Sequence, residues 1–84
     1  MPNPVDRSDL AITEEVFNRV LIESGERMLA YFKFGHLPGK LQIISSRFAL
    51  LAAFIVENIA SSAERTVALR KLLESKDAAV RAAL

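Results

Sequence analysis

The apolar residues of this chain recur at three- and four-residue steps, which is the spacing of helices that bury one face. Asp9 or Thr13 can cap the first such stretch, and Glu14 and Glu15 in its first turn suit the helix dipole. Gly25 interrupts the stretch, so the pattern predicts either a kink or a break into two helices. The apolar residues of this first region are Val16, Phe17, Val20, Leu21, Met28, Tyr31 and Phe32.

A connection and a second helix follow in the middle of the chain. Gly35, Pro38 and Gly39 disfavour continued helix, so residues 35–39 are predicted to form a loop. From about Lys40 to Ala60 a long helix is predicted. Its expected apolar stripe comprises Leu41, Ile44, Phe48, Leu51, Ala52, Ile55, Val56 and Ile59.

The last third predicts a further helix, from Ser62 to about Ala83. Ser61 and Glu64 have the spacing of a capping box. The short gap before this helix makes it the antiparallel neighbour of the preceding one. Since no segment alternates apolar and polar residues, the fold class expected is all-α: a small antiparallel bundle of about three helices. We expect one domain over residues 1–84, with 1–8 as a frayed N-terminal arm.

Length and composition limit what such a bundle can be. A chain of 84 residues buries only about 60–65% of its unfolded surface, so a thin core and self-association are expected. The chain has no Cys, which excludes disulfides and thiolate sites and makes the cytoplasm the expected compartment. The longest apolar run, Phe48 to Val56, has nine residues, so no membrane span is expected. The N-terminus lacks a basic start followed by an apolar stretch, so no signal peptide is expected.

Charge is distributed unevenly although the net charge is only +1. Residues 1–26 hold six acidic and two basic residues, whereas residues 27–56 hold four basic residues and no acidic one: Arg27, Lys33, Lys40 and Arg47. This middle third either attracts an anionic ligand or forms a solvated face that acids elsewhere balance. Duplex DNA is not an expected partner, because +1 cannot neutralise many phosphates.

Catalysis is not expected from these residues. The single histidine, His36, has no second ligand at metal-binding spacing, so a metal site is not predicted. The serines lack a nucleophile motif, and no glycine pattern that cradles phosphates is present. We therefore expect no enzymatic activity and no cofactor.

Binding is better supported, because aromatic and basic residues meet just before the predicted loop. Tyr31, Lys33 and Phe34 suit a nucleobase and a phosphate, although Tyr31 and Phe34 fit a core role equally well. His36 could donate to a ligand or cap a helix end.

On the last helix, Arg65, Thr66 and Arg70 could reach phosphates. Solvated ion pairs with Glu64 and Glu74 are the more ordinary interpretation of these bases.

Two runs of residues resemble a known family. FKFGHLP (residues 32–38), followed by Leu41-Gln42, Ser45 and Phe48, resembles the pattern F-x-Y-x-H-L-P-x-x-L-Q-x-x-S-x-x-F. ERTVALRKLLE (64–74), followed by KDAAVR (76–81), is similar to the end of the same family. This is the small phage anti-CBASS sponge family, anti-CBASS protein two. The resemblance covers residues 31–83 and does not extend to residues 1–30.

The resemblance implies a helical homo-oligomer, typically a hexamer, in the cytoplasm of an infected bacterium. Its ligands would be cyclic dinucleotides and cyclic trinucleotides made by host defence cyclases, which it would sequester without hydrolysis. No DNA and no membrane are implied as partners. Phe34, which lacks the hydroxyl of the family's Tyr, would stack on a base, and Arg47 would meet a phosphate. With Tyr31 and Arg70, the expected ligand-binding residues are Tyr31, Phe34, His36, Leu37, Pro38, Arg47, Arg65, Thr66 and Arg70.

Two other functions fit the residues. The thin core is also typical of a protein-interaction module whose apolar stripe, centred on Phe48, Leu51 and Ile55, meets a partner protein. A small nucleic-acid binder is a weaker alternative, which would show steep salt dependence.

Overall fold

Three α-helices and two short 3-10 helices make up the part of the chain that this computed structural model describes, residues 7–84. The 3-10 helix Arg7–Asp9 is followed by α1 (Glu14–Ser24) and by a second 3-10 helix, Arg27–Phe32. Helices α2 (Gly39–Asn58) and α3 (Ala63–Ala83) complete the order, and residues 7–84 contain no strand. The predicted all-α class is confirmed. Of the predicted arm, residues 1–6 lie outside the described range.

Gly25 ends α1, so the second of the two predicted alternatives, a break, is correct. The helix begins where Thr13 Oγ1 accepts a hydrogen bond from the Val16 N–H at 3.3 Å. At its other end Gly25 has a φ of 66° and donates its N–H to the Leu21 carbonyl at 3.1 Å. A left-handed residue at this position stops the helix, and glycine adopts that conformation without steric cost.

The predicted loop before α2 is a closed turn tied to the helix that follows. The Leu37 N–H donates to the Phe34 carbonyl at 3.0 Å. From the first turns of α2, Gln42 Nε2 donates to the carbonyls of Leu37 at 2.9 Å and Gly35 at 3.2 Å. One side chain therefore satisfies two loop carbonyls and fixes the path of residues 34–37.

The cap of α3 differs from the capping box predicted at Ser61 and Glu64. Ser62 has extended geometry, with φ −164°, and its Oγ accepts the Arg65 N–H at 3.0 Å. The helix therefore begins one residue later than the predicted box requires. An arginine then occupies the position from which a glutamate would reach back, so the reciprocal half of a capping box cannot form.

This cap gives a stability prediction with a matched control. Ser62→Ala should lower the free energy of unfolding by about 1 kcal/mol, because it leaves the Arg65 N–H without its side-chain acceptor. Ser61→Ala removes an identical hydroxyl one residue earlier and should change stability by less than about 0.5 kcal/mol. Urea titration followed by circular dichroism measures both. A larger loss for Ser61→Ala would contradict the observed cap.

Helix α2 lies at the centre of the fold and contacts α1, the second 3-10 helix and α3. The connection 59–62 is short, so α2 and α3 pack as antiparallel neighbours, as predicted. Small side chains on the buried face of α2 let the neighbouring elements approach closely, and larger side chains from those elements fill the core. The core cluster consists of Ile12, Phe17, Val20, Leu29, Phe32, Phe34, Ala49, Ala52, Ala53, Val56 and Leu69.

The apolar stripe predicted for α2 is only partly correct. Leu51 and Ile59 are exposed, and Phe48 and Ile55 are half-buried at the edge of the core. The prediction failed because α2 carries large apolar residues on every side, so periodicity alone cannot choose the buried face. The face that is buried comprises Leu41, Ser45, Ser46, Ala49, Ala52, Ala53 and Val56.

Helix α2 is also the one helix in residues 7–84 that is long and apolar enough to cross a membrane. The helix has 20 residues, and the mean hydropathy of an 18-residue window within it is 1.5. The core helix of a globular protein meets the same criterion. Seven residues of α2 are buried within the bundle, and Arg47 lies close to its midpoint.

Candidate functional site

A pocket of about 340 Å³ opens between α1 and the turn that precedes α2. We call it the turn pocket. Phe17 and Phe34 form its apolar wall, with ring centroids 6.2 Å apart and planes inclined at 60°. The full lining is Glu14, Phe17, Asn18, Lys33, Phe34, Gly35 and His36.

Phe34 is held in the core rather than presented to a ligand. Its side chain is 1% exposed and belongs to the same buried cluster as Phe17. The sequence was compatible with either core packing or base stacking for Phe34, and the structure places the residue in the core of the chain. Phe34 lines the turn pocket, but it is so deeply buried that a base could stack on its ring only if the ring moved.

Lys33 and His36 supply the polar side of the turn pocket. Both side chains are exposed, and within residues 7–84 neither makes a hydrogen bond or an ion pair. Glu14 approaches from the first turn of α1 and lies against Gly35, where a Cβ would collide with its carboxylate. The pocket therefore offers an ammonium and an imidazole for an anion, beside a carboxylate that can accept from N–H groups.

Three further predicted residues lie on either side of the pocket. Tyr31, on the second 3-10 helix, is 62% exposed and is the aromatic residue of this segment that faces solvent. Leu37 is half-buried against the core, and Pro38 is the exposed residue that precedes α2. Of the predicted His-Leu-Pro run, only His36 lines the turn pocket.

Arg47 lies outside the turn pocket, on α2. Its Nη1 donates to the Ile43 carbonyl at 2.6 Å and to the Asp9 carbonyl at 3.1 Å. The second of these bonds fastens the N-terminal 3-10 helix to α2. The remaining N–H groups of the guanidinium lie on an exposed side chain and can meet another group.

Arg65 is committed to the fold. Its Nη2 forms an ion pair with Glu26 Oε1 at 2.8 Å, and the two side chains are only 10% and 16% exposed. Its Nη1 donates to the Ile59 carbonyl at 2.8 Å and to the Val56 carbonyl at 3.4 Å. The guanidinium thus ties the last turn of α2 to the start of the second 3-10 helix. No local sequence pattern indicates this role, because Glu26 and Arg65 are 39 residues apart in the chain.

Thr66 and Arg70 complete the predicted set. Thr66 Oγ1 donates to the Ser62 carbonyl at 3.2 Å, within the first turn of α3. Arg70 is exposed one turn further along the helix. The predicted residues therefore occupy separate regions of one chain: the turn pocket, the exposed side of α2, and the corner between α2 and α3.

Metal-binding geometry is not found in the described range. Residues 7–84 contain no group of three or more His, Cys, Asp or Glu side chains that could hold a metal ion.

Comparison with known proteins gives no relative. No protein-family model, no curated protein and no solved structure matches this chain. Functional inference therefore depends on the two sequence runs and on the geometry described above.

Proposed function

We propose that this chain binds cyclic dinucleotides and cyclic trinucleotides and sequesters them without cleaving them. The proposal places it in the anti-CBASS sponge family, as a phage protein that removes the signal of a host defence system in the bacterial cytoplasm. The observation that carries it is the turn pocket, where the side chains of Lys33 and His36, both within the run that resembles the family, are exposed and make no hydrogen bond or ion pair with residues 7–84. The pocket borders the acid-free middle of the chain.

The chemistry of the turn pocket suits a phosphodiester. Lys33 places a point charge beside a phosphate, and His36 adds a ring N–H donor. The exposed ring of Tyr31 (62% exposed) offers a face on which a base can stack. Tyr31 takes the stacking role that the resemblance gave to Phe34, since Phe34 is buried.

The size of the pocket favours a site shared between copies of the chain. Its volume of about 340 Å³ lies at the lower end of the range of about 300–1,000 Å³ for small-molecule sites. One pocket therefore encloses part of a cyclic dinucleotide, and a second chain contacts the rest. A shared site fits the proposed homohexamer and explains why Arg47 and Arg70, exposed elsewhere, can still meet the ligand.

A charge-deletion variant tests the assignment of the pocket. Lys33→Ala should weaken the binding of a cyclic dinucleotide about 10- to 100-fold, the expected effect of losing one hydrogen bond to a charged group. Arg81→Ala removes one positive charge near the end of α3 and should leave affinity within about twofold. Isothermal titration calorimetry measures both. Equal affinities in the two variants would remove Lys33 from the site.

A protein-interaction module is the second candidate function, and a specific surface favours it. Leu50, Leu51 and Phe54 are 46%, 47% and 57% exposed on α2. The interface predicted for this alternative was centred on Phe48, Leu51 and Ile55, of which the structure exposes Leu51. Tight binding to a host protein that cyclic nucleotides cannot displace would favour this function.

A further inference from the structure

The outward surface of α2 is apolar at its centre and oppositely charged at its two ends. We call this surface the outer α2 face; it consists of Arg47, Leu50, Leu51, Phe54 and Glu57. All five residues are exposed, and Phe54 is 57% exposed. In an α-helix, residues spaced three and four apart fall on one side, so these five form a continuous stripe on the helix.

The spacing of this stripe is that of a helix-pairing seam. Arg47, Leu50, Phe54 and Glu57 follow one another at steps of three, four and three residues, which is the repeat by which two helices pack along their length. The seam spans eleven residues, so its ends are about 15 Å apart along the helix.

The seam is also symmetric about the level of Ala52. Arg47 lies five residues before Ala52 and Glu57 five residues after it; Leu50 and Phe54 lie two before and two after. In an interface with two-fold symmetry, a residue i of one copy contacts a residue j of the other, and residue j of the first copy contacts residue i of the second. Antiparallel pairing at this level would put Arg47 opposite Glu57 twice and Leu50 opposite Phe54 twice.

We propose that the outer α2 face binds a second copy of this chain, with the two α2 helices antiparallel across a two-fold axis at the level of Ala52. Charge selects this arrangement, because a parallel pair would bring Arg47 beside Arg47 and Glu57 beside Glu57. The ion pairs fix orientation and register, and the central Leu50 and Phe54 side chains supply the buried contact.

A groove next to the seam has room for a side chain of the second copy. It measures about 390 Å³ and lies between the segment preceding and beginning α1 and the outer side of α2. Its apolar lining includes Leu10, Ile12, Val16, Val20 and Leu50. Phe54 also lines the groove, and in the antiparallel pair Phe54 of the second copy would face Leu50 in this lining.

A lipid bilayer suits this face less well than a protein does. Arg47 lies near the middle of α2, and Glu57 lies on the same side of the helix. A bilayer would desolvate both charges without pairing them, whereas a second copy pairs each of them.

A charge-swap series measured by sedimentation equilibrium tests the proposal. The wild-type chain, of 9.3 kDa, should sediment at twice this mass or at a larger even multiple. Arg47→Glu and Glu57→Arg should each weaken self-association about tenfold or more, since each places like charges opposite one another. The double variant Arg47→Glu/Glu57→Arg should restore it, because the pairs are re-formed with reversed sign.

A second variant tests the apolar centre of the face. Phe54→Asp should weaken self-association roughly 30-fold or more, as expected for a central contact residue. Its circular dichroism spectrum should remain that of the wild type, because Phe54 is exposed in the single chain. Arg81→Glu, a charge reversal at an exposed position near the end of α3, serves as the control and should leave the mass unchanged.

Three results would overturn the proposal: a wild-type chain that remains monomeric, a double charge swap no better than the single variants, or an assembly indifferent to Phe54→Asp. The inference does not depend on ligand binding. If the double swap restores assembly while cyclic dinucleotides still fail to bind, Arg47 serves the ligand as well as the interface. If the wild-type chain stays monomeric and still binds cyclic dinucleotides, the interface and the shared site are both wrong, and only nucleotide binding by the single chain stands.

Discussion

Phe34→Ala is expected to lower the free energy of unfolding by about 3–5 kcal/mol, the cost of removing a buried aromatic ring. The ring is 1% exposed and packs against Phe17, so its loss leaves a cavity between α1 and the turn. Small domains are stable by only about 5–15 kcal/mol, so much of the chain would be unfolded at moderate temperature. Urea titration and thermal melting measure the loss.

Tyr31→Ala is the matched control, since it deletes an exposed aromatic ring (62% exposed) three residues away. It should change the free energy of unfolding by less than about 0.5 kcal/mol. Phe34→Leu should fall between the two, because it keeps most of the buried volume. Similar small losses for Phe34→Ala and Tyr31→Ala would contradict the core position of Phe34 and restore its ring as a candidate for base stacking.

Arg65→Ala is expected to lower the free energy of unfolding by about 3 kcal/mol. It leaves the Glu26 carboxylate, 16% exposed, without its ion-pair partner. It also removes the donors that satisfy the Val56 and Ile59 carbonyls at the end of α2. Chemical denaturation measures the loss, with Arg70→Ala, an exposed arginine on the same helix, as the control expected to stay within about 0.5 kcal/mol.

A double variant tests whether Arg65 stabilises the fold or binds the ligand. If Arg65 acts through the fold, the Arg65→Ala/Glu26→Ala double variant should be less destabilised than the sum of the two single variants, because the unpaired carboxylate is removed. Strictly additive losses would contradict the ion pair. A stable Arg65→Ala variant with lost nucleotide affinity would instead return Arg65 to the binding site.

The helices were predictable because their signals are local. The steps of three and four residues, the Thr13 cap, the stop at Gly25 and the turn ending at Pro38 each depend on neighbours within a few positions. The buried face of α2 was not predictable from these signals. The small residues at 45, 46, 49 and 53 are buried because small side chains allow close packing, whereas the predicted stripe contained Leu51 and Ile59, which are exposed.

The candidate site was predictable in part. The segment that carries Tyr31, Lys33 and His36 stands out by its aromatic and basic residues, and the structure places Lys33 and His36 at a pocket. The ion pair between Arg65 and Glu26 depends on how distant segments meet, 39 residues apart. No local sequence pattern indicates that these two segments come into contact. Under the proposed function, Arg47 and Arg70 meet one ligand only if a second copy of the chain completes the site.

Titration of the purified wild-type chain with a cyclic dinucleotide and with cyclic tri-adenylate, followed by chromatography of the heat-released ligand, tests the central claim most directly. We predict saturable heats for both ligands, a fixed ratio of ligand to chain, and recovery of each ligand intact after the protein is denatured. Recovery of linear products would show hydrolysis and contradict sequestration. The absence of heat with either ligand, at concentrations where the chain is folded, would contradict nucleotide binding altogether.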